Sequence, residues 1–315
     1  MEKYNKYSDY LKQTYGEKVY KLPINIPVTC PNRDGCVGTG GCIFCGEEGT
    51  GFESLSNDMS VKDQIAKNMQ HIGEKYAANK YIAYFQNFSN TYLPIEKFKK
   101  YIKEAIVENI VEIAISTRPD CINEEYLVFL RSTADKHNVN ITIELGLQTV
   151  NYKTLKKINR GHTLAEYIEA VLSIKKYRFK VCTHMILNLP WDDDEDVVEG
   201  AKIISALGID FVKLHSLYIV KNTVLSEMYD KKEFDMISAD DYKKRVMLFL
   251  EYLSPKIVLQ RLISRAPKQN TVFVNWYTSW WKIRDEIEEQ MLKDGRYQGR
   301  LCNYLGGRAL RDFPL

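Results

Sequence analysis

The chain has 315 residues, 45% of them hydrophobic, and a formal net charge of +3. A chain of this length buries roughly three quarters of its unfolded surface, so it needs no metal merely to fold. So small a net charge does not by itself indicate a nucleic-acid partner, and the sequence contains neither a signal segment nor an apolar run of transmembrane length. We therefore expect one sizeable cytoplasmic domain with no membrane partner and with reduced cysteines.

Strands and helices alternate along the chain. Tyr4, Tyr7 and Leu11 have helical spacing, which predicts a short N-terminal helix docked on the core. Apolar or β-branched runs predict six strands, over 24–29, 81–85, 111–116, 139–145, 179–187 and 209–214. Amphipathic stretches predict helices between them, over 60–77, 94–107, 123–137, 163–177 and 193–206. This alternation implies parallel strands with right-handed crossovers, either in an open doubly wound sheet or in a barrel.

Three cysteines follow the first predicted strand, in the stretch CPNRDGCVGTGGCIFC. Cys42 and Cys45 form a tight C-x-x-C, and Cys30 precedes them by a gap of eleven residues that contains four glycines. Glycine permits strained backbone, so such a loop can wrap closely around a compact inorganic group. A fourth thiol, Cys36, lies inside the loop and keeps open a structural zinc site built from all four thiolates. A disulfide is the less favoured alternative, because nothing else in the sequence indicates an oxidising compartment.

Polar residues cluster where the predicted strands end. The clusters are Gln86 and Asn87 after the second strand, Ser116, Thr117 and Arg118 after the third, Glu144 and Gln148 around the fourth, Asn188 after the fifth, and Lys213 and His215 at the sixth. Any one of them fits a helix cap or a turn, but the active site of a (β/α) barrel is built from these strand ends. The convergence favours an enzyme with an α/β fold, a partial (β/α)6 TIM barrel with N- and C-terminal extensions.

Two histidines and an acidic run each have two interpretations. His162 fits either a site role or a cap on the helix that begins at Thr163. His184 lies inside an apolar strand and fits either a site role or a core position. The acidic run 192–196 has the composition of a metal site, but a solvated helix start explains it better, because the helix dipole favours negative charge there.

The C-terminal third combines cations with aromatic rings. Residues 256–284 contain no acidic residue; their cations are Lys256, Arg261, Arg265, Lys268, Lys282 and Arg284, and their aromatics include Phe273, Trp276, Tyr277, Trp280 and Trp281. Cations for phosphates and flat rings for bases suit an RNA surface. Alternatively, VLQRLIS and TVFVNWY are barrel-closing strands with core aromatics, above all Trp276 and Trp280. The later arginines fit either phosphate contacts or plain solvent exposure: Arg296, Arg300, Arg308 and Arg311.

The cysteine loop resembles that of radical S-adenosylmethionine (SAM) enzymes, in which three cysteines hold a [4Fe-4S] cluster with one open iron. Its long first gap departs from the familiar C-x3-C-x2-C spacing and is similar to that of the elongator-catalytic-subunit branch. Further matching motifs follow in order: TRPD (117–120), ELGLQ (144–148), NRGHT (159–163), and HM (184–185) ahead of LP (189–190). The CPNRDG start and the terminal YQGR (297–300) resemble the YhcC/YtqA (MnmL-like) type of this branch.

The resemblance implies two cofactors, a [4Fe-4S] cluster and S-adenosyl-L-methionine. Cys30, Cys42 and Cys45 would bind the cluster, with Phe44 as the usual aromatic before the last cysteine and Cys36 as a bystander. The implied SAM-binding residues are Gln86 and Asn87 for the amino group, and Ser116, Arg118, Glu144, Gln148 and Arg160 for the carboxylate and ribose. The catalytic candidates are His162, His184 and Lys213. Electron transfer would cleave the SAM sulfonium to a radical that abstracts hydrogen from the substrate.

The resemblance also implies a domain organisation and partners. We expect an N-terminal helical extension over 1–23, the barrel over 24–254 with the cluster loop 30–45, and a C-terminal extension over 255–315 that closes the barrel and carries an RNA-binding surface. The implied partners are a tRNA anticodon loop and a reducing protein such as flavodoxin or ferredoxin. The implied reaction converts 5-carboxymethylaminomethyluridine to 5-aminomethyluridine at the wobble position. A radical SAM enzyme acting on a small molecule or protein and a zinc-stabilised binding protein are the alternatives.

Overall fold

The computed structural model describes residues 3–46, 49, 54–265 and 270–311. Its helices are α1 (Tyr7–Tyr15), α2 (Val61–Tyr76), α3 (Ile95–Glu104), α4 (Glu124–His137), α5 (Tyr152–Lys157), α6 (Leu164–Lys176), α7 (Asp194–Ala206), α8 (Val224–Asp230), α9 (Ala239–Tyr252) and α10 (Trp280–Lys293). Its strands are β1 (Val19–Ile24), β2 (Lys80–Phe85), β3 (Ile110–Thr117), β4 (Asn140–Gln148), β5 (Lys180–Ile186), β6 (Phe211–His215), β7 (Ile219–Val220), β8 (Val258–Arg261) and β9 (Thr271–Phe273). None of the helices in these described ranges is long and apolar enough to cross a membrane.

Seven strands form one parallel sheet in the order β1-β2-β3-β4-β5-β6-β8. Every neighbouring pair in this sheet is parallel, as expected for strands joined by helical crossovers. The sheet curls into a half-barrel, which confirms the predicted α/β partial barrel. The remaining two strands, β7 and β9, pair antiparallel in a small separate sheet.

The predicted elements agree with the structure from the second strand onward. The second to sixth strands and the five predicted helices end within three residues of the observed elements. The prediction of the first strand over 24–29 is wrong, because that strand is β1 (Val19–Ile24). Pro23 lies inside β1, and a proline in an apolar run argues against a strand because it has no N–H to donate. The proline is tolerated here because β1 is at the edge of the sheet.

The two C-terminal segments predicted as alternative barrel strands behave differently. Part of VLQRLIS forms β8, which pairs in parallel with β6 and becomes the seventh strand of the half-barrel. Part of TVFVNWY forms β9, which pairs with β7 and stays outside the main sheet. The segment 255–315 therefore contributes one strand to the half-barrel.

Helix α1 packs against the amino ends of the strands. The rings of Tyr7 and Tyr10 lie 5.3 and 5.0 Å from the ring of Phe211, the first residue of β6. Leu11 is buried beside Val19, the first residue of β1. These contacts confirm the predicted docking of an N-terminal helix. They cover the amino end of the half-barrel and leave the carboxyl end of the sheet for the site.

Candidate active site

The cysteine loop that follows β1 is held by its own backbone. The N–H of Gly41 donates to the carbonyl of Asn32 at 2.8 Å, and the N–H of Cys45 donates to the carbonyl of Cys42 at 2.9 Å. Gly40 and Gly41 have φ angles of 76° and 83°, in the left-handed region that glycine adopts without steric cost. The loop therefore curls tightly, and the C-x-x-C pair forms one turn.

Asn32 joins this loop to the segment between α5 and α6. Its side chain is fully buried, and its Nδ2 donates to the carbonyl of Asn159 at 2.5 Å and lies 3.9 Å from the Sγ of Cys42. Asn159 Nδ2 donates in return to the carbonyl of Gly41 at 2.8 Å. A Cβ at Gly161 would lie only 2.5 Å from Asn32 Oδ1, so the glycine of the NRGHT motif allows this close packing.

Two buried arginines lie beside the thiols. Arg118 Nη1 is 3.9 Å from the Sγ of Cys30, and Arg160 Nη1 is 3.5 Å from the Sγ of Cys42. Arg118 is fixed by paired bonds of 2.8 and 2.6 Å to the carboxylate of Asp120, and its Nη1 donates to the carbonyl of Arg160 at 2.8 Å. Two positive charges therefore lie beside the sulfur atoms that would bind a metal.

A cavity of about 170 Å³ opens between the cysteine loop and the strand ends. Most of the residues predicted for the site line it: Cys30, Cys42, Phe44, Cys45, Gln86, Ser116, Arg118, Glu144, Gln148, Arg160, His184 and Lys213. These residues lie on the cysteine loop, on the four strands β3 to β6 and in the connections after β2, β3 and α5. The structure therefore brings together twelve of the fourteen predicted residues; Asn87 and His162 are the other two.

Asn87 is buried beside the cavity without lining it. Its Nδ2 donates to Asn25 Oδ1 at 3.3 Å, whereas its Oδ1 has no hydrogen-bond partner within the described residues. Gly49 does line the cavity, and a Cβ there would lie 2.6 Å from Asn87 Oδ1. This buried acceptor therefore lies next to the cavity lining and has no hydrogen-bond donor among the described residues.

His162 is buried, and both of its ring nitrogens face backbone carbonyls. Nε2 lies 3.1 Å from the carbonyl of Gly146, and Nδ1 lies 3.2 Å from that of Thr163. Burial first of all, and then the positive charge of the neighbouring Arg160, lower the pKa of His162 to about 3. The ring does not cap α6: the Thr163 side chain does so, in a capping box with Glu166. His162 therefore connects the strand end at Gly146 to the start of α6.

Glu144 is at the centre of a buried charged cluster. Its Oε2 accepts hydrogen bonds from His184 Nε2 at 2.9 Å and Lys213 Nζ at 3.2 Å, and its Oε1 accepts from Lys21 Nζ and from Gln260 Nε2. Burial acts to raise the pKa of Glu144, but the two lysine charges outweigh it and hold that pKa well below its usual range. Burial lowers the pKa of His184 to about 4 and that of Lys213 to about 8. Glu144 is therefore a carboxylate at neutral pH.

Sequence reasoning missed several residues of this region. Lys21 and Gln260 bind Glu144, and Tyr84 and Arg261 line the cavity. A lysine in the middle of an otherwise mostly apolar strand was the available signal for Lys21. Because the first strand was predicted five residues too late, that signal fell outside it.

The donor set fits a [4Fe-4S] cluster better than a single zinc ion. Among the described residues, one group of three metal-ligand atoms lies within 4.8 Å of one another; it consists of Glu144, Cys182 and His184, and contains none of the loop thiols. The sulfurs around one zinc lie roughly 4 Å apart, whereas each cysteine of a cluster binds a different iron. Burial raises the pKa of Cys45 to about 11, so a bound metal would have to supply the positive charge that keeps it a thiolate. Cys36 is exposed.

The acidic run at 192–196 forms a helix start, as predicted. Asp193 is the N-cap of α7, and its side chain accepts hydrogen bonds from the N–H groups of Glu195 and Asp196 in a capping box. Asp194 forms an ion pair with Arg245, with Nε and Oδ1 3.1 Å apart. These carboxylates have structural roles.

The aromatic residues of the C-terminal third divide into core and surface. Trp276 donates from Nε1 to the carbonyl of Ile237 at 2.7 Å and packs on Tyr242, so the core interpretation is confirmed for it. The core interpretation is wrong for Trp280, which is 36% exposed because it begins α10 at the rim of a larger cavity. Trp281 is also exposed.

The terminal arginines divide in the same way. Arg296 and Arg300 both bind the buried carboxylate of Glu251, so they are structural. Arg308 and Arg311 are exposed. Lys268 lies outside the described residues.

Family comparison identifies the class of protein. The model of the "Radical SAM superfamily" matches residues 25–204, and that of the "Radical_SAM C-terminal domain" matches residues 209–293. The chain therefore belongs to the radical SAM superfamily, whose members use SAM and a [4Fe-4S] cluster.

Individual relatives place the chain within that superfamily. It is similar to the uncharacterized protein YtqA of Bacillus subtilis (32% identical; 96% of this chain and 94% of YtqA) and to the uncharacterized protein MJ0486 of Methanocaldococcus jannaschii (36%; 93% and 90%). A tRNA uridine(34) acetyltransferase of M. jannaschii is 29% identical over 46% of this chain and 28% of its own length. The solved structure of the archaeal Methanocaldococcus infernus Elp3 has a TM-score of 0.68 at 18% identity, covering 89% of this chain and 64% of Elp3. The predicted Elp3-like, YtqA-type branch is confirmed.

Proposed function

We propose that the chain is a radical SAM enzyme that converts 5-carboxymethylaminomethyluridine to 5-aminomethyluridine at the wobble position of tRNA. Cys30, Cys42 and Cys45 hold the [4Fe-4S] cluster, with Phe44 beside the last of them. When bound and reduced, the cluster and SAM supply the hydrogen-abstracting chemistry. The carboxymethyl carbon of the substrate loses one hydrogen atom, and the carbon radical left there gives one electron to an oxidised electron carrier such as flavodoxin. Water then hydrolyses the resulting imine, which releases the two-carbon fragment as glyoxylate and leaves a primary amine on the uridine.

The cavity residues have distinct proposed roles in holding SAM. The buried, unpartnered Oδ1 of Asn87 supports a contact with the SAM amino group, together with the neighbouring Gln86. Ser116, Gln148 and Arg160 are the proposed contacts of the carboxylate and ribose. Both oxygens of Glu144 and the guanidinium of Arg118 are already engaged by protein groups, so we assign them to positioning.

The three catalytic candidates also differ in role. His184 and Lys213 line the cavity and are the proposed residues for contact with the reacting side chain. The ring nitrogens of His162 face backbone carbonyls, which supports a positioning role for it.

The observation that carries the RNA proposal is an exposed aromatic and cationic face. Tyr277 and Trp281 are 78% and 53% exposed, and Lys282 follows on α10 together with Arg284, which is paired with Asp285 at 2.6 Å. Exposed rings are suited to stacking on unpaired bases, and the cations are suited to phosphates. In the proposed organisation, the C-terminal segment 255–315 supplies this face.

A second cavity links that face to the site. Its volume is about 790 Å³; it lies between β1 and β8, and Trp280 and Arg284 are part of its lining. Tyr84, Gln86, Lys213 and Arg261 line both this cavity and the smaller one under the cysteine loop. A base turned out of a single-stranded anticodon loop would pass from the aromatic face towards the cysteines by this route.

Similar proteins give independent support to the proposal of a tRNA substrate. One relative is a tRNA uridine(34) acetyltransferase, and a protein of the elongator type has the same fold. We also propose a cytoplasmic location and a small reducing protein, such as flavodoxin or ferredoxin, as the electron donor.

The test is an anaerobic reaction with reductant, SAM and tRNA that carries the carboxymethylaminomethyl group. We expect 5′-deoxyadenosine and, after nuclease digestion and mass spectrometry, 5-aminomethyluridine. Deoxyadenosine formed without any change in the nucleoside would refute this substrate and redirect the search to small molecules or proteins.

The RNA surface has its own test. Removing the exposed ring in Trp281→Ala should weaken tRNA binding about tenfold, since one stacked base contributes roughly 1–3 kcal/mol. Tyr76→Ala is the matched control, because Tyr76 is also an exposed ring near a lysine but lies at the end of α2. Equal affinity of the two variants for tRNA would contradict the proposed surface.

A further inference from the structure

Two lysine ammonium groups share one carboxylate inside the half-barrel. Lys213 Nζ and Lys21 Nζ both donate to Glu144, whose side chain is fully buried. The side chains of Lys21 and Lys213 are only 19% and 11% exposed. These three groups carry one positive charge in excess, and burial raises the pKa of the nearby acid Glu112, which disfavours its charged form. A buried excess charge is unfavourable without a partner, so this region favours an additional anion.

The other polar groups around Lys213 are neutral or positive. Its Nζ donates to the hydroxyl of Tyr84 at 2.8 Å and lies 4.6 Å from the centre of that ring. His184, on the neighbouring strand, has its pKa lowered by burial to about 4 and is neutral at pH 7. Arg261 adds a positive side chain to the same cavity lining. The groups around Lys213 therefore carry more positive than negative charge.

Lys213 is reached from the open side of the half-barrel. It lines both the 170 Å³ cavity and the 790 Å³ cavity between β1 and β8. The cysteine thiols have their own cations: Arg118, which follows β3, and Arg160, which lies between α5 and α6. An anion bound at Lys213 would therefore sit where the two cavities meet, on the path proposed for the substrate.

We propose that Lys213, supported by Lys21, binds a carboxylate of the substrate and so selects a nucleoside side chain that ends in an acid. The inference rests on the proposed function, because the side chain of 5-carboxymethylaminomethyluridine ends in such a group. The carboxylate of SAM has the same chemistry and is the other source of an anion. Binding of the substrate carboxylate places the adjacent carbon, from which hydrogen is removed, at a fixed distance from Lys213.

The test measures binding without turnover. Anticodon stem-loop RNAs carry the wobble side chain as the free acid, as its methyl ester, or not at all, and their affinities are measured by fluorescence anisotropy with SAM present and reductant omitted. The wild-type protein should prefer the acid over the ester by about 10- to 100-fold, the range for a hydrogen bond to a charged group. Lys213→Met should reduce that preference to near unity, with the ester bound as by wild type.

Two further variants keep the result interpretable. Lys213→Gln retains a donor to Tyr84 without the charge, so it should also lose the preference for the acid. Lys180→Met removes a lysine that pairs with Asp210 at the exposed start of β5, and it should keep the preference. Iron content per chain checks that all the proteins are equally folded and loaded.

Three other results of these binding measurements would contradict the inference, and one of them would also contradict the proposed substrate. Unchanged acid preference in Lys213→Met and Lys213→Gln would overturn the inference and leave the proposed function intact. A weaker affinity for SAM, measured by equilibrium dialysis, with an unchanged preference for acid RNA would assign the lysine to the SAM carboxylate and overturn the inference. Equal wild-type affinity for modified and unmodified RNA would overturn both the inference and the proposed substrate.

Discussion

Replacing Glu144 by glutamine removes the anion that two buried lysines share. The amide keeps the shape and one acceptor oxygen, but Lys21 and Lys213 lose their negative partner. Removing one partner of a buried ion pair costs about 3–5 kcal/mol, so we expect the free energy of unfolding at pH 7 to fall by this amount. In a chain of this size, that corresponds to a decrease in the thermal midpoint of roughly 5–8 °C.

The assay is thermal denaturation followed by circular dichroism, on anaerobic samples with matched iron content. Glu112→Gln is the control, since Glu112 is also fully buried but accepts a hydrogen bond from the Tyr15 hydroxyl at 2.8 Å. Burial raises the pKa of Glu112, and an amide accepts the same bond, so its midpoint should fall by less than about half as much. Equal midpoints for Glu144→Gln and wild type, or equal losses in both variants, would refute the electrostatic argument.

Three other substitutions test separate parts of the structure. Burial lowers the pKa of Lys213 from 10.5 to about 8. Between these two pH values the unfolded chain therefore binds more protons than the folded chain, and the free energy of unfolding rises with pH. Lys213→Met should remove roughly 3 kcal/mol of that rise between pH 8 and 10.5, as measured by denaturant titrations. Gly161→Ala places a Cβ 2.5 Å from Asn32 Oδ1 at a φ of +79°, so it should lower both the iron content and the thermal midpoint. Gly295→Ala is the control: its φ is +65° but its Cβ would lie in open space, so it should lower the thermal midpoint alone. Arg118→Lys loses the paired bonds to its carboxylate partner, and iron retained after gel filtration should fall by at least about half; full retention would contradict its positioning role.

Much of the fold follows from local patterns in the sequence. Strands β2 to β6 are short apolar runs, and the helices between them begin at clear caps such as Thr163 and Asp193. The polar residues at the strand ends could be assigned to one site because parallel strands place their carboxyl ends at the same edge. The same rule explains why twelve predicted residues line one cavity.

The predictions that were wrong or missing concern contacts between segments that are distant in sequence. Because of the proline in β1, the strand was not predicted at its observed position, and Lys21 was therefore not predicted for the site. The role of Lys21 depends on Glu144, which is more than a hundred residues away in sequence. The capping role weighed for His162 was wrong, because the threonine hydroxyl supplies the cap and the ring meets a carbonyl of β4. Likewise, composition does not reveal that Arg296 and Arg300 pair with the buried Glu251.

The most direct test of the central claim is iron and sulfide analysis of anaerobically purified protein, with its electron paramagnetic resonance spectrum in dithionite with and without SAM. The structure predicts about four irons per chain and a spectrum that changes when SAM is added. Cys36→Ala should keep both properties because Cys36 is exposed, whereas Cys30→Ala should lose them. A protein that holds one zinc and no iron, and that loses its metal in Cys36→Ala, would contradict the account.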